Sequence, residues 1–115
     1  MIVEDDVDIL ASLCELLQEE GYEIMSARDG QQALALLRAG SALPALILLD
    51  LMTPGKHGAA FRAEQELDPR LARIPVILMS ADDQLDIKKF KVGLRYHIKK
   101  PIDLDSLLAM VKQLS

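Results

Sequence analysis

The chain has 115 residues, half of them apolar, and this length and composition predict one domain large enough to bury a substantial core. The net charge of −5 argues against direct nucleic-acid binding, which depends on lysines and arginines that neutralise phosphates, and the single cysteine excludes a disulfide framework. Because no charged-then-apolar leader opens the chain and no apolar run reaches membrane-spanning length, we expect a cytoplasmic protein without a membrane partner.

Hydrophobic periodicity divides the chain into alternating strands and helices with short connections. Continuous apolar runs predict the strands, and apolar residues at spacings of three and four predict the helices. In chain order, the predicted elements are a strand at 1–3, a helix at 7–20, a strand at 22–27, a helix at 30–39, a strand at 45–49, a helix at 61–67, a strand at 74–79, a helix at 83–92, a strand at 96–99 and a helix at 104–114. This alternation predicts an α/β domain, in which a parallel sheet carries helices on both faces.

Residues that prefer helix ends support these boundaries. Asp29 and Asp103 can cap the second and last helices, because an aspartate at this position accepts hydrogen bonds from free backbone N–H groups. Asp6 is interpreted in the same way, as the cap of the first helix. Gly21 and Gly40 are natural stops for the first two helices. The first predicted strand is short for a central strand, whose usual length is about five or six residues.

Polar side chains follow the apolar strands at the point where each strand ends. They are Glu4, Asp5 and Asp6 after the first strand, Asp50 after the third, Ser80 after the fourth, and Lys99 and Lys100 at the fifth. Sheets of this type bind ligands beyond the carboxyl ends of their strands, where the strand order reverses. If the order is 2-1-3-4-5, the first and third strands flank that point and their carboxylates converge there.

Converging carboxylates predict a cation, because they repel one another without one. Oxygen ligands without histidine or cysteine favour Mg²⁺, which typically serves phosphoryl groups. A lysine and a hydroxyl on neighbouring strands can hold phosphate oxygens, and an aspartate in this setting can itself be the nucleophile. The pattern therefore predicts phosphoryl chemistry on Asp50. Lys99 and Lys100 face opposite sides of a continuing strand, so only one can enter the pocket, and Lys99 is interpreted as a solvated charge.

The chain resembles the receiver domain of two-component response regulators along essentially its whole length. Four segments carry the resemblance: VEDD at 3–6, LLDLMTPGKHG at 48–58, PVILMSA at 75–81 and KKP at 99–101. The acidic cluster and the lysine–proline pair are weak signals singly, but the segments are a strong signal in this order and spacing. The resemblance implies that residues 1–115 are one receiver domain with a flavodoxin-like (βα)5 fold, a doubly wound parallel sheet of strand order 2-1-3-4-5.

The resemblance also implies a reaction and a metal site. A histidine kinase or a histidine phosphotransfer protein would pass a phosphoryl group to Asp50 in an Mg²⁺-dependent reaction. The metal would be held by Asp5, by Asp50 and by the backbone carbonyl of Met52, with Glu4 acting through a water molecule. A receiver of this kind is a signalling domain that promotes its own phosphorylation and dephosphorylation, and it is not an enzyme with a separate substrate.

Further residues are implied to detect the phosphoryl group. The Ser80 hydroxyl and the Lys100 ammonium would contact it, and Ser80 together with His97 would switch a surface of the domain. That surface is formed by the predicted elements at 83–92, 96–99 and 103–114. It would serve as the docking face for partners or for a second copy of the chain in a homodimer.

Two other function classes stay open. A haloacid-dehalogenase-type phosphatase also forms an aspartyl phosphate, but it needs a second aspartate two residues after the nucleophile, where this chain has Met52. The other alternative is a pseudo-receiver, which binds partners without being phosphorylated. Such domains usually lack the acid pair, the acceptor or the lysine, whereas Glu4, Asp5, Asp50 and Lys100 are all present here. We therefore favour a phospho-accepting receiver.

Overall fold

The strands of the protein form one parallel sheet. The computed structural model describes residues 1–40, 43–50, 58–80, 96–99 and 102–114. Its elements, in chain order, are β1 (Ile2–Val3), α1 (Val7–Glu19), β2 (Ser26–Ala27), α2 (Gly30–Ala39), β3 (Ile47–Asp50), α3 (Gly58–Leu67), α4 (Pro69–Ala72), β4 (Val76–Ser80), β5 (Tyr96–Lys99) and α5 (Leu104–Leu114). Neighbouring strands pair in the order β2-β1-β3-β4-β5, and every pair is parallel. The fold class and the strand order predicted from the sequence are confirmed.

The sheet has a hydrophobic core on each face, because successive side chains of a strand point to opposite sides. In β3, Ile47 and Leu49 enter one core and Leu48 enters the other, and all three are almost fully buried. Helices α2, α3 and α4 cover the first core, and α1 and α5 cover the second. Among the helices that the structure describes, none is long and apolar enough to cross a membrane. Because helices cover both faces, polar side chains can meet at the edge of the sheet where the strands have their carboxyl ends.

Aspartate caps begin α2 and α5 where the sequence predicts them. The Asp29 carboxylate accepts a hydrogen bond from the backbone N–H of Gln32 at 2.7 Å. The Asp103 carboxylate accepts from the Ser106 hydroxyl at 3.0 Å and from the Asp105 N–H at 3.1 Å. The Ser106 side chain, followed by the two backbone N–H groups of Ser106 and Asp105, lowers the pKa of Asp103, because these donors stabilise the ionised form. Both helix starts are thus set by local sequence.

The strands differ from the predicted spans at their ends. β3 and β4 each begin two residues later than predicted and end one residue later, at Asp50 and Ser80, because pairing between them continues to the Asp50–Met79 position and β4 pairs onward with β5. β2 is limited to Ser26–Ala27 instead of 22–27, because its neighbour β1 offers only two residues for pairing. Asp50 itself is therefore part of the hydrogen-bonded sheet.

The region between β3 and β4 holds a helix that the sequence interpretation missed. α3 begins at Gly58, three residues before the predicted start, and α4 follows it directly. Asp68 caps α4 by accepting from the Arg70 N–H at 2.9 Å, with Pro69 in the first turn. No helix is predicted between 67 and 74, although an aspartate directly before a proline is a helix-start signal. The helix predicted at 83–92 lies outside the described residues.

A buried glutamine joins α3 to α4. Gln65 is fully buried, and its amide nitrogen donates to the backbone carbonyls of Leu71 at 2.8 Å and Ile74 at 3.1 Å. Its amide oxygen accepts a hydrogen bond from the Arg62 guanidinium at 2.8 Å. One side chain therefore bonds to a carbonyl of α4 and to a carbonyl of the segment that connects α4 to β4.

The end of α1 depends on a glycine in the left-handed backbone region. Gly21 has a φ of 93°, its N–H donates to the Gln18 carbonyl at 3.0 Å, and the Tyr22 N–H donates to the Leu17 carbonyl at 3.0 Å. We expect Gly21→Ala to lower the free energy of unfolding by about 1 kcal/mol, because a Cβ disfavours positive φ. No atom lies within 4 Å of an added Cβ, so steric overlap adds nothing. Urea unfolding measures the change.

Gly40 provides the matched control, since it also ends a helix. Its φ of −81° is accessible to any residue. Gly40→Ala is expected to leave stability unchanged or to raise it slightly by restricting the unfolded chain. Equal losses in both variants would show that positive φ is not the cause of the Gly21→Ala effect.

Candidate functional site

Acidic side chains lie where β1 and β3, adjacent strands of the sheet, reach their carboxyl ends. Val3 of β1 is in register with Leu49 of β3, so the next residues on the two strands are Glu4 and Asp50. The Glu4 backbone N–H donates to the Ala27 carbonyl at 3.0 Å, which fixes the end of β1 against β2. The sheet thereby places these two carboxylates side by side.

Three carboxylates form one group at this point. Oxygen atoms of Glu4, Asp5 and Asp50 all lie within 4.8 Å of one another. Glu4 is fully buried, Asp50 is 4% exposed and Asp5 is half-buried. Unit charges at about this distance repel by about 3 kcal/mol per pair at an effective dielectric constant of 20. The structure confirms that these predicted residues converge.

The chemistry of the donors fits a hard divalent cation. All three side chains offer carboxylate oxygens, and this group contains no histidine or cysteine. Mg²⁺ prefers oxygen ligands, commonly takes one or two carboxylates and keeps several waters. Asp5 has intermediate exposure, so at least one member of the group is accessible to solvent. The residues present therefore fit Mg²⁺, and they would hold it beside the Asp50 carboxylate.

Asp6 is adjacent in sequence but stands apart from this group. Its carboxylate accepts hydrogen bonds from the backbone N–H groups of Asp8 at 2.9 Å and Ile9 at 3.1 Å, and its side chain is exposed. The interpretation of Asp6 as the cap of α1 is confirmed. One contact was not predicted: the Asp6 N–H donates to the Glu4 carboxylate at 3.3 Å. The sequence signal for this contact is the glutamate that lies two residues before the residue that caps the helix.

The other predicted site residues are only partly placed. Ser80 ends β4 and is in register with Lys99 of β5, and His97 is in register with Leu78. The side chains of Ser80, His97 and Lys99 lie outside the described part of the structure, as do the residues Lys100 and Met52. β4 and β5 therefore reach the same edge of the sheet as β3. The roles of these residues stay predictions.

Comparison with known proteins identifies relatives over the whole chain. The family model for the response regulator receiver domain matches residues 1–112. The chain is 38% identical over 118 residues to the response regulator PleD of Caulobacter vibrioides, a match that covers all of this chain and 26% of PleD. It is 32% identical over 115 residues to sporulation initiation phosphotransferase F of Bacillus subtilis, covering 98% of this chain and 90% of that protein. The matched region thus corresponds to one module of PleD.

A solved structure shows the same fold. The signal receiver domain of a signal transduction histidine kinase from Syntrophus aciditrophicus aligns with a TM-score of 0.87 and 32% sequence identity. The alignment covers 98% of this chain and 86% of that chain. Both the sheet and its surrounding helices therefore have a counterpart in a receiver domain of another protein.

Proposed function

The chain belongs to the response regulator receiver domain family, and we propose that it accepts a phosphoryl group on Asp50 in an Mg²⁺-dependent reaction. Receiver domains are signalling modules that interact with histidine kinases or phosphotransfer proteins and bind Mg²⁺ at an acidic pocket. The observation that carries the proposal is the group of carboxylates from Glu4, Asp5 and Asp50 within 4.8 Å at adjacent strand ends. Residues 1–115 would form one such domain, located in the cytoplasm.

The proposed chemistry is transfer of a phosphoryl group from a histidine to Asp50. A carboxylate oxygen of Asp50 attacks the phosphorus, the bond between phosphorus and the imidazole nitrogen breaks, and that nitrogen regains a proton from solvent as the histidine leaves. β3 presents the nucleophile at a fixed position, since Asp50 is its last hydrogen-bonded residue.

The remaining residues of the proposed site divide into metal ligands and phosphoryl contacts. Asp5, Asp50 and the Met52 carbonyl would hold Mg²⁺ directly, and Glu4 would hold it through water. When bound, Mg²⁺ supplies positive charge that offsets the charge of the carboxylates and of the transferring group. The Ser80 hydroxyl and the Lys100 ammonium would contact the phosphoryl oxygens.

We also propose how phosphorylation becomes a signal. The modified Asp50 gains charge and acceptor oxygens, which would draw in the Ser80 hydroxyl at the end of β4. His97, on the neighbouring β5, would then change its position and alter the face formed by residues 83–92, 96–99 and 103–114. That face would bind partners or form a homodimer. Neither nucleic acid nor a membrane is proposed as a direct partner, in keeping with the net charge of −5.

Incubation with acetyl phosphate and Mg²⁺ tests the proposed function. The intact mass is expected to rise by one phosphoryl group, and the modified peptide after borohydride reduction is expected to contain Asp50. Omission of Mg²⁺ or addition of a chelator is the control, and it should suppress the rise. A pseudo-receiver would gain no mass under any of these conditions, and modification of a different residue would contradict the assignment of the acceptor.

Asp5→Asn is expected to weaken Mg²⁺ binding by at least about tenfold. Substitution of a residue that only supports a metal ligand typically lowers metal affinity by about 10- to 100-fold. Asp5 would lose a direct contact between its charge and the metal, so its loss of affinity should be at least as large. Calorimetric titration with MgCl₂ measures the affinity, and the rise in melting temperature at saturating Mg²⁺ provides a second measurement, since a ligand of the folded state stabilises it.

Asp8→Asn makes the same charge change close by and serves as the control. Asp8 is exposed in the first turn of α1 and does not belong to the carboxylate group. Its variant should bind Mg²⁺ within about twofold of the wild type, because solvent and salt screen an exposed charge. Unchanged Mg²⁺ affinity in Asp5→Asn would show that Asp5 is not a metal ligand and that another residue takes this role.

A further inference from the structure

Asp6 connects the carboxylate group to the start of α1 through its backbone. Its N–H donates to the Glu4 carboxylate at 3.3 Å, and its carbonyl accepts the Leu10 N–H at 2.9 Å. Its side chain accepts from the Asp8 and Ile9 N–H groups. A single residue is therefore bonded to a buried carboxylate on one side and to the first turn of a 13-residue helix on the other.

The backbone of residues 4–6 is held at both ends. The sheet fixes Glu4, because its N–H donates to the Ala27 carbonyl at 3.0 Å. The helix cap fixes Asp6, whose backbone has φ −74° and ψ 113° and so turns the chain into α1. Asp5 lies between these two points, and its backbone is held from both sides. Loss of the side-chain cap would leave the Asp6 end of this turn held only by its backbone hydrogen bonds, while the Glu4 end stays in the sheet.

From this geometry we propose that Asp6 is a positioning residue for the metal site: its cap on α1 fixes the turn at residues 4–6 and so orients the carboxylates of Glu4 and Asp5. The inference rests on the proposed function, since it assumes that this group binds Mg²⁺. Asp6 does not belong to the carboxylate group, and its Oδ1 accepts the N–H groups of Asp8 and Ile9 in α1, so we assign it a positioning role and not that of a ligand. Residues that hold metal ligands in place typically affect metal affinity by about 10- to 100-fold.

Two substitutions separate positioning from charge. Asn caps a helix as well as Asp does, so Asp6→Asn removes the negative charge and keeps the acceptor for the Asp8 and Ile9 N–H groups. Asp6→Ala removes the charge and the acceptor together. Because Asp6 is exposed, its charge alone should contribute little at physiological ionic strength.

The experiment is calorimetric titration with MgCl₂ at constant ionic strength, with melting temperature recorded for each metal-free variant. Asp6→Ala is expected to weaken Mg²⁺ affinity about tenfold, and Asp6→Asn is expected to bind within about twofold of the wild type. Asp29→Ala is the matched control: it removes the equivalent cap from α2, whose Gln32 N–H bond is 2.7 Å long, and Asp29 is outside the carboxylate group. It should lower the melting temperature in the same way and leave Mg²⁺ affinity unchanged.

Three results would overturn the inference. Wild-type affinity in Asp6→Ala would show that the cap does not position the ligands, and equal losses in Asp6→Asn and Asp6→Ala would assign the effect to charge. A comparable loss of affinity in Asp29→Ala would assign it to general destabilisation. A wild-type protein that binds no Mg²⁺ would instead contradict the proposed function, which distinguishes that failure from the failure of the Asp6 inference.

Discussion

Asp50→Asn is expected to gain no phosphoryl group from acetyl phosphate or from a phosphorylated histidine, while the fold is retained. The amide oxygen is a far weaker nucleophile than a carboxylate oxygen, and the substitution keeps the shape of a side chain that is 4% exposed. Intact mass spectrometry after incubation with Mg²⁺ and the phosphodonor measures the effect, and thermal unfolding followed by circular dichroism verifies the fold.

Two variants sharpen this experiment. Asp8→Asn makes the same chemical change on the exposed first turn of α1 and should be phosphorylated like the wild type. Asp5→Asn tests the metal site with the nucleophile intact, and it should react slowly and recover at high Mg²⁺ concentration. If Asp50→Asn reacted at the wild-type rate, the acceptor would have to be another residue.

Gln65→Leu is expected to lower the free energy of unfolding by about 2 to 4 kcal/mol. The change keeps a side chain of similar size but removes the donors to the Leu71 and Ile74 carbonyls. The Leu71 carbonyl still accepts the Ile74 N–H at 3.1 Å, so the main cost falls on the Ile74 carbonyl, and an unsatisfied buried polar group costs about 1 to 3 kcal/mol. The Arg62 guanidinium also loses the acceptor that lies at 2.8 Å. Urea unfolding with a linear extrapolation provides the measurement.

Gln65→Glu tests the amide NH₂ donor separately from the amide oxygen acceptor. It keeps an oxygen that can accept from Arg62, but it replaces the amide NH₂ with an oxygen that would face the two carbonyls. We expect this variant to be destabilised too. Gln31→Leu, on the exposed face of α2, is the control for polarity and should change stability by no more than about 0.5 kcal/mol. Wild-type stability in Gln65→Glu would show that the donated hydrogen bonds contribute little.

The order of the elements and the acidic residues at the strand ends could be predicted from the sequence because both depend on local patterns. Alternating apolar runs and helical spacings determine the element order, and the residues after each run determine what meets at the carboxyl edge of the sheet. The strand order is what the resemblance to receiver domains implies, and with that order Glu4, Asp5 and Asp50 converge, as observed.

Features that depend on tertiary contacts escaped prediction. Gln65 is a residue type that is mostly exposed, and only the packing of α4 against α3 shows why it is buried. β2 is short because only two residues of β1 pair with it, and the sequence pattern within 22–27 does not show this limit. The contact between the Asp6 N–H and the Glu4 carboxylate depends on the turn that joins β1 to α1.

Because β3 lies in the centre of the sheet, the proposed acceptor Asp50 should hold its position longer than residues at the edge of the sheet. β3 pairs with a strand on each side and is covered on both faces, so its amide hydrogens should exchange only through openings close in free energy to global unfolding. β2 is an edge strand with two paired residues, which can open on its own at much lower free energy. Asp50 is the last residue of β3, so a local opening of β2 should leave the proposed acceptor carboxylate in the position where it would meet a phosphodonor.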